Sequence, residues 1–196
     1  MRVVDLTRSQ LPRKLETRLR VHGTDLCTRI DAPSLLIKGG KTIDQFPPDR
    51  LLSKAVLLDL THKKSRELID DEDLEGAEER AGLALREGEA VILQTGWEDF
   101  AGHREYSSNH AGLSKNGAQY LEFKGIRLVG VDAPNLDHPS NRKLPAHRIL
   151  LRREILVVEN LCNLTQLQKS RFRLIALPPR ITAPSSYVRA IAIVDG

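Results

Sequence analysis

Long apolar runs, cysteines and aromatic residues are scarce in this chain of 196 residues. No apolar run approaches the roughly 20 residues that a membrane-spanning helix needs, so we expect no membrane anchor. Residues 1–6 lack the long apolar region of a signal peptide, and a cytoplasmic location is the resulting expectation. The two cysteines, Cys27 and Cys162, are far apart and form no CxxC motif. This spacing argues against a disulfide framework and against a zinc site made of paired cysteines.

Aromatic residues make up only 4% of the chain, which leaves few surfaces on which nucleic-acid bases stack. The formal net charge is +4 and the pI is about 9.2, a basic balance that nucleic-acid binders also show. The basic residues are nevertheless mixed with acids, as in residues 63–67, which is typical of solvated surfaces. We therefore expect no nucleic-acid partner. The alternative, a nucleic-acid binder, rests on the pI alone and predicts binding that weakens steeply with salt.

The length and the ordinary balance of 40% apolar and 29% charged residues predict one domain over residues 1–196. Short runs rich in valine, isoleucine and leucine recur, and their length and β-branching favour buried strands. These runs cover residues 55–60, 90–94, 126–131, 154–158 and 188–194. Helices are predicted over residues 71–85, after an acidic first turn, and over residues 115–123, after Ser114 as N-cap. Strands that alternate with helices predict an α/β fold.

Asp31, His147 and Glu159 are the candidate functional residues, because one imidazole and two carboxylates form a recognised first shell for a divalent metal in hydrolases. Glu159 follows an apolar run, so we expect it at the end of a buried strand. A carboxylate buried there needs a partner, which is either a metal or an arginine. The residues alone also allow a simpler interpretation, in which the two carboxylates are ordinary ion-pair partners and the histidine is structural.

Several segments of the chain resemble one family. The family's main motif, His-x-Gly-Thr-His-x-Asp-x-Pro-x-His, aligns with Asp-Leu-Cys-Thr-Arg-Ile-Asp-Ala-Pro-Ser-Leu at residues 25–35. Further matches follow in order at residues 39–44, 95–97, 112–114, 129–132, 147–150, 159–164 and 188–192. The chain is similar to the cyclase family of hydrolases, whose best-known members are bacterial kynurenine formamidases. The resemblance implies a swivelling β/β/α fold with a barrel-like central sheet and flanking helices.

The resemblance also implies a function and an assembly. Family members hold two divalent metals, often zinc or manganese, and they usually form dimers or larger assemblies. We therefore expect a homodimer or homotetramer. The expected substrate is a small molecule with an amide, lactone or cyclic imide bond.

Only part of the family's metal apparatus is retained. Asp25 and Arg29 stand in the places of two ligand histidines, and Leu35 replaces the histidine that shuttles protons. The three ligands of the family's second metal are retained as Asp31, His147 and Glu159. The resemblance thus implies one divalent metal at most, held by these three residues, or no metal.

Arg29 is the most informative departure, because arginine stays protonated and has no lone pair to offer a metal. We predict that it points into the site and pairs with Asp31 and Glu159 through its planar fork. The alternative is that it faces solvent. Together with His147, these residues form the predicted catalytic set, in which Arg29 would stabilise an oxyanion.

Further predictions concern polar and aromatic residues near the motifs, as substrate-binding residues, as a metal ligand or as surface residues. Asp25 and Trp97 are predicted to bind substrate, with core packing as the alternative for Trp97. His22 is an alternative metal ligand beside the main motif. His103 and His110 flank a loop and are predicted to lie at the surface.

Two functions remain open from the sequence. The first is a metal-dependent hydrolase with one metal. The second is a metal-free family member, in which Arg29 neutralises the carboxylates and the pocket binds a small molecule without hydrolysing it. Under both hypotheses, kynurenine formamidase activity is expected to be weak or absent, since Leu35 cannot shuttle protons.

Overall fold

The computed structural model describes residues 1–8 and 27–195. In these residues, nine strands form one curled sheet with the shape of a half-barrel, and two short strands form a separate pair. The strands are β1 (Arg2–Asp5), β2 (Arg29–Asp31), β3 (Leu52–Asp59), β4 (Leu68–Ile69), β5 (Ala90–Gln94), β6 (Gly112–Leu113), β7 (Leu128–Val131), β8 (Leu156–Glu159), β9 (Arg171–Leu177), β10 (Ser185–Tyr187) and β11 (Arg189–Val194). The order across the large sheet is β1-β11-β9-β3-β5-β7-β8-β2-β10, and β4 pairs with β6.

The centre of the large sheet is parallel, with β3, β5, β7 and β8 side by side. Helices pack on one face of it. They are α1 (Asp71–Arg80), α2 (Lys115–Phe123) and α3 (Pro145–Arg152). The opposite face is covered by the curl of β9 and β11 and by the N-terminal segments. Because both faces of the central strands are buried, these strands are continuous apolar runs in the sequence.

The two sides of the sheet carry separate hydrophobic cores. Along β5, Val91 and Leu93 face the helices, whereas Ile92 faces the curled antiparallel half. Strand β9 is different, since its burial alternates and only one face contributes to the core, through residues such as Phe172 and Leu174. The α/β fold with a barrel-like sheet and flanking helices is therefore confirmed.

The predicted strands are present with bounds shifted by at most a few residues, and two larger exceptions occur elsewhere. The first helix was predicted to reach Leu85, but it ends at Arg80. Gly82 adopts a positive φ of 62°, which closes the last turn of the helix. The carboxylate of Glu78 then accepts a hydrogen bond from the backbone N–H of Leu85, and this bond holds the chain after the turn.

Helix α3 and strand β9 are the second exception, because no sequence pattern predicted them. Helix α3 is only eight residues long and begins at Pro145, which suits a first helical turn. In the part of the chain that the structure describes, no helix has the length and apolar character that crossing a membrane requires.

Candidate functional site

The site is built where β2 inserts antiparallel beside β8, at the end of β8. Arg29 lies directly opposite Glu159 in the register of the two strands. Asp31 is two residues further along β2, so its side chain projects from the same face as that of Arg29. Helix α3 supplies His147 from its first turn. Three separate segments of the sequence thus meet at one edge of the sheet.

The side chains of Asp31, His147 and Glu159 form a compact buried group. One ligand atom of each lies within 4.8 Å of the others. Nε2 of His147 is 3.2 Å from Oε1 of Glu159 and 3.6 Å from Oδ2 of Asp31. All three side chains are at most 1% exposed. The hydroxyl of Ser185 donates to Oδ1 of Asp31 at 2.5 Å and helps to fix that carboxylate.

A third carboxylate, Asp137, holds the histidine from behind. Its Oδ2 is 2.6 Å from Nδ1 of His147. The same carboxylate accepts the backbone N–H groups of Ala146 and His147, at 2.8 and 3.0 Å, and so caps the start of α3. Because a carboxylate at Nδ1 accepts its proton, Nε2 is directed at the carboxylate pair. Sequence reasoning missed Asp137, since a single aspartate in a loop carries no pattern.

Arg29 points into the site. Its Nε and Nη2 donate to Oε2 of Glu159 at 2.9 and 2.6 Å, and its Nε is 3.8 Å from Oδ1 of Asp31. The guanidinium side chain is 19% exposed, so it reaches solvent from a cluster that is otherwise closed. The opposite edge of Glu159 is also engaged, because the backbone N–H of Leu136 donates to Oε1 at 2.8 Å.

The charges in this cluster shift its pKa values in opposite directions. Burial alone would raise the pKa of Glu159, but Arg29 and His147 outweigh it and lower that pKa to about 2. Burial alone would lower the pKa of His147, but hydrogen bonds to Asp137, Asp31 and Glu159 raise it well above 6.5. The cluster therefore favours the ionised form of Glu159 and, without a metal, the protonated form of His147.

The arrangement fits one divalent cation in two respects. Oδ2 of Asp31 is buried and has no hydrogen-bond partner among residues 1–8 and 27–195. The cluster contains three carboxylates, those of Asp31, Asp137 and Glu159, and one guanidinium, so two negative charges are uncompensated when the imidazole is in the neutral form that binds a metal. A carboxylate-and-imidazole donor set suits zinc and manganese.

Two of the remaining predicted residues pack against the helix-side core, and two others lie outside the described residues. Trp97 packs against the helix-side core and stacks on Phe100 at 4.5 Å, and its Nε1 donates to the carbonyl of Tyr106 at 2.8 Å. Leu35 is half-buried and also packs toward the helix side. Asp25 and His22 lie outside the described residues.

His110 corrects one prediction, because it is 1% exposed rather than a surface residue. The reason is its position directly before β6, a strand that packs against the backbone of Asp137 and His138. A Cβ atom at Gly112 would lie only 2.2 Å from the backbone nitrogen of His138. Gly112 thus permits a close approach that draws the preceding histidine inside. His103 is exposed, as predicted.

The site is a buried cluster of carboxylates and one imidazole at the edge of a curled α/β sheet, an arrangement typical of a metal site. Comparison with known proteins identifies the family. The Cyclase family model matches residues 5–138, and the chain belongs to that family. A kynurenine formamidase of Bacillus cereus is 30% identical over 165 residues, covering 84% of this chain and 73% of that protein. A kynurenine formamidase of Erythrobacter litoralis is 27% identical over 114 residues, covering 58% of this chain and about half, 52%, of that protein.

Solved structures share the fold. Isatin hydrolase A from Labrenzia aggregata, bound to benzyl benzoate, has a TM-score of 0.83 at 22% identity, covering 100% of this chain and 94% of that one. A potential metal-dependent hydrolase with cyclase activity has a TM-score of 0.77 at 24% identity, covering 100% of this chain and 98% of that one. Both similarities show that this chain shares the fold of these structures.

Proposed function

We propose that this protein is a hydrolase of the arylformamidase type that opens an amide, lactone or cyclic imide bond of a small molecule. The observation that carries the proposal is the buried group of Asp31, His147 and Glu159, with ligand atoms within 4.8 Å of one another. Kynurenine formamidase and isatin hydrolase relatives support it, since both names describe hydrolysis.

Asp31, His147 and Glu159 would hold one divalent cation, zinc or manganese. When bound, such a cation supplies Lewis acidity, which polarises a carbonyl group and acidifies water. The proposal of a single metal follows from the donor set, because Arg29 stands beside these residues and cannot act as a ligand.

The protein's own residues supply orientation and charge. Asp137 holds the ring of His147 so that Nε2 faces Asp31 and Glu159. Arg29 is the group of the cluster that reaches solvent, so a substrate carbonyl approaching the site meets a fixed positive charge. A guanidinium in this place stabilises negative charge that develops on the carbonyl oxygen. Trp97 and Asp25 are proposed to contact the substrate.

The experiment is hydrolysis of N-formylkynurenine, isatin and an aryl lactone by purified protein, with elemental analysis of its metal content. We expect turnover of at least one substrate, loss of turnover in chelator, and recovery with zinc or manganese. Asp31→Asn should abolish metal uptake. Asp49→Asn is the matched control, because Asp49 is an exposed carboxylate far from β2 in the sequence. Turnover by metal-free protein that ignores chelator would contradict the proposal.

A second function is favoured by one specific observation. Arg29 donates two hydrogen bonds to Oε2 of Glu159. Its positive charge therefore occupies a carboxylate oxygen for which a metal cation would have to compete. A family member of this kind would bind a small molecule, such as an anion, without hydrolysing it. Calorimetric titration with zinc separates the two functions. Uptake near one equivalent by the wild type supports the hydrolase, whereas uptake only by Arg29→His supports the metal-free binder.

Assembly, location and domain organisation remain proposals from the family resemblance. We propose a homodimer or homotetramer in the cytoplasm, with residues 1–196 forming one domain. Light scattering coupled to size exclusion measures the assembly, and a stable 22.0 kDa species would show that the protein is a monomer.

A further inference from the structure

His110 is a buried histidine that the reaction described so far does not use. Its side chain is 1% exposed, and its Nδ1 lies 2.8 Å from the carbonyl oxygen of Ala111. A carbonyl oxygen can only accept, so Nδ1 carries the ring proton. Nε2 of the neutral ring is then an unprotonated acceptor.

This acceptor is not satisfied by the surrounding protein. Nε2 of His110 is buried and has no hydrogen-bond partner among residues 1–8 and 27–195. Buried polar atoms without a partner are rare, and each one calls for an explanation such as a bound ligand or a catalytic role. His138 offers a contrast, because its Nδ1 accepts from Ser140 and its Nε2 donates to the carbonyl of Arg66.

Backbone hydrogen bonds connect the segment that carries His110 to the residues that build the site. The chain from His110 continues into β6, where the backbone N–H of Leu113 donates to the carbonyl of Leu136 at 2.7 Å. Leu136 in turn donates its own N–H to Oε1 of Glu159, and Asp137 holds His147. The negative charge of Glu159 acts to raise the pKa of the imidazole, against the effect of burial.

We propose that Nε2 of His110 is the proton acceptor for the attacking water, in place of the histidine that Leu35 replaces. The inference rests on the proposed hydrolase function. His110 lies in the loop before β6, whereas Leu35 lies in the turn after β2, so the same chemical role would be supplied by a different part of the sequence.

The proton transfer balances in two steps. In the first step, water forms a bond from its oxygen to the substrate carbonyl carbon, the carbonyl π pair moves to oxygen, and one water proton passes to Nε2. In the second step, the oxygen pair re-forms the carbonyl, the bond from carbon to the leaving nitrogen or oxygen breaks, and Nε2 returns its proton to that atom. The products are a carboxylic acid and an amine or alcohol, and His110 is regenerated.

The surroundings of His110 keep it neutral and able to accept. Burial lowers its pKa below the ordinary 6.5, whereas the Ala111 carbonyl and the Glu159 carboxylate act in the opposite direction. The positive charges of His138 and Arg66 act to lower its pKa further. At neutral pH the ring is therefore an unprotonated base, the form that the proposed role requires.

Steady-state kinetics on the full chain test the inference, with N-formylkynurenine and isatin as probes between pH 5 and 9. For His110→Gln we expect kcat to fall on the order of 10²–10⁴-fold with KM nearly constant, as for the loss of a general base. In the wild type, kcat should fall as acid protonates His110, and this fall should be absent from the variant. His62→Gln is the matched control, because His62 is exposed and lies in a different loop.

Two further measurements test the role of His110 independently of the His110→Gln variant. His110→Asn retains a donor for the Ala111 carbonyl and should show the same loss if His110→Gln does not fold. Nitrogen-15 NMR of the wild type should find a neutral ring protonated at Nδ1 at pH 7. A ring protonated at Nε2, or variants with unchanged rate and pH profile, would overturn the role of His110 alone. A wild type that hydrolyses neither probe would overturn the proposed function and this role with it.

Discussion

Replacing Glu159 by glutamine should destabilise the metal-free protein strongly. Each carboxylate oxygen of Glu159 faces a donor: Oε1 accepts the N–H of Leu136, and Oε2 accepts both contacts from Arg29. The amide of glutamine presents one oxygen and one NH₂ group. In either orientation the NH₂ group meets a donor instead of an acceptor, so at least one buried hydrogen bond is lost.

The size of the effect follows from burial and charge. Glu159 is 0% exposed, and breaking a buried ion pair typically costs about 3–5 kcal/mol. Arg29 is 19% exposed, so water partly solvates it after the change, and we expect the lower end, about 3 kcal/mol. For a chain of this size, that corresponds to a decrease in Tm of about 6–12 °C.

The assay is urea and thermal unfolding in the presence of chelator, so that metal binding does not contribute to the difference. Glu154→Gln is the control, because Glu154 forms the same kind of ion pair with Lys41 at 2.8 Å, but with side chains 42% and 48% exposed. That change should cost at most about 1 kcal/mol. A loss within about 0.5 kcal/mol for Glu159→Gln would refute the buried pairing described for Glu159.

Three further predictions concern the neighbouring groups. Asp137→Asn should weaken zinc binding about 10–100-fold in a calorimetric titration, because the amide no longer fixes the proton on Nδ1 of His147; unchanged affinity would contradict this role. Burial lowers the folded-state pKa of His110 below 6.5, so its contribution to stability is fully present above pH 6.5 and is lost as pH falls from there through the lower folded-state pKa. Urea unfolding of the wild type and His110→Gln between pH 5 and 8 measures this, and parallel curves would count against it. Turnover of N-formylkynurenine should fall well below the typical enzyme range of about 1–10³ s⁻¹, because Asp25 and Arg29 stand where the resemblance places the imidazole ligands of a second metal; a rate within that range would contradict this reasoning.

Much of the fold is encoded in local patterns. The β5 run was predicted with its observed bounds, because a strand buried on both faces is apolar throughout. Helix α2 follows the prediction as well, with the Ser114 side chain accepting from the N–H of Gly117. Strand β9 was not predicted, because Arg171 and Arg173 alternate with its apolar residues and make the sequence resemble a basic surface segment.

The site was only partly predictable, for a physical reason. The motif alignment identified Asp31, His147 and Glu159, which the structure brings together. Asp137 contacts His147 at the start of α3, and His110 is buried beside the close approach at Gly112, and both arrangements depend on tertiary packing. Neither contact leaves a periodic or spaced pattern in the chain, so no reading of the sequence alone assigns them.

Arg29 and a metal need not exclude each other, because they use different atoms. The guanidinium binds Oε2 of Glu159, whereas Oε1 of Glu159 and Oδ2 of Asp31 face Nε2 of His147. One guanidinium leaves two of the three negative charges in the cluster uncompensated when His147 is neutral, and one divalent cation balances them. Asp25 and Arg29 stand where the resemblance places two histidine ligands of one metal, so these ligands are lost while the positive charge of Arg29 remains. A site with one cation and one guanidinium is consistent with both the charge and the geometry of this cluster.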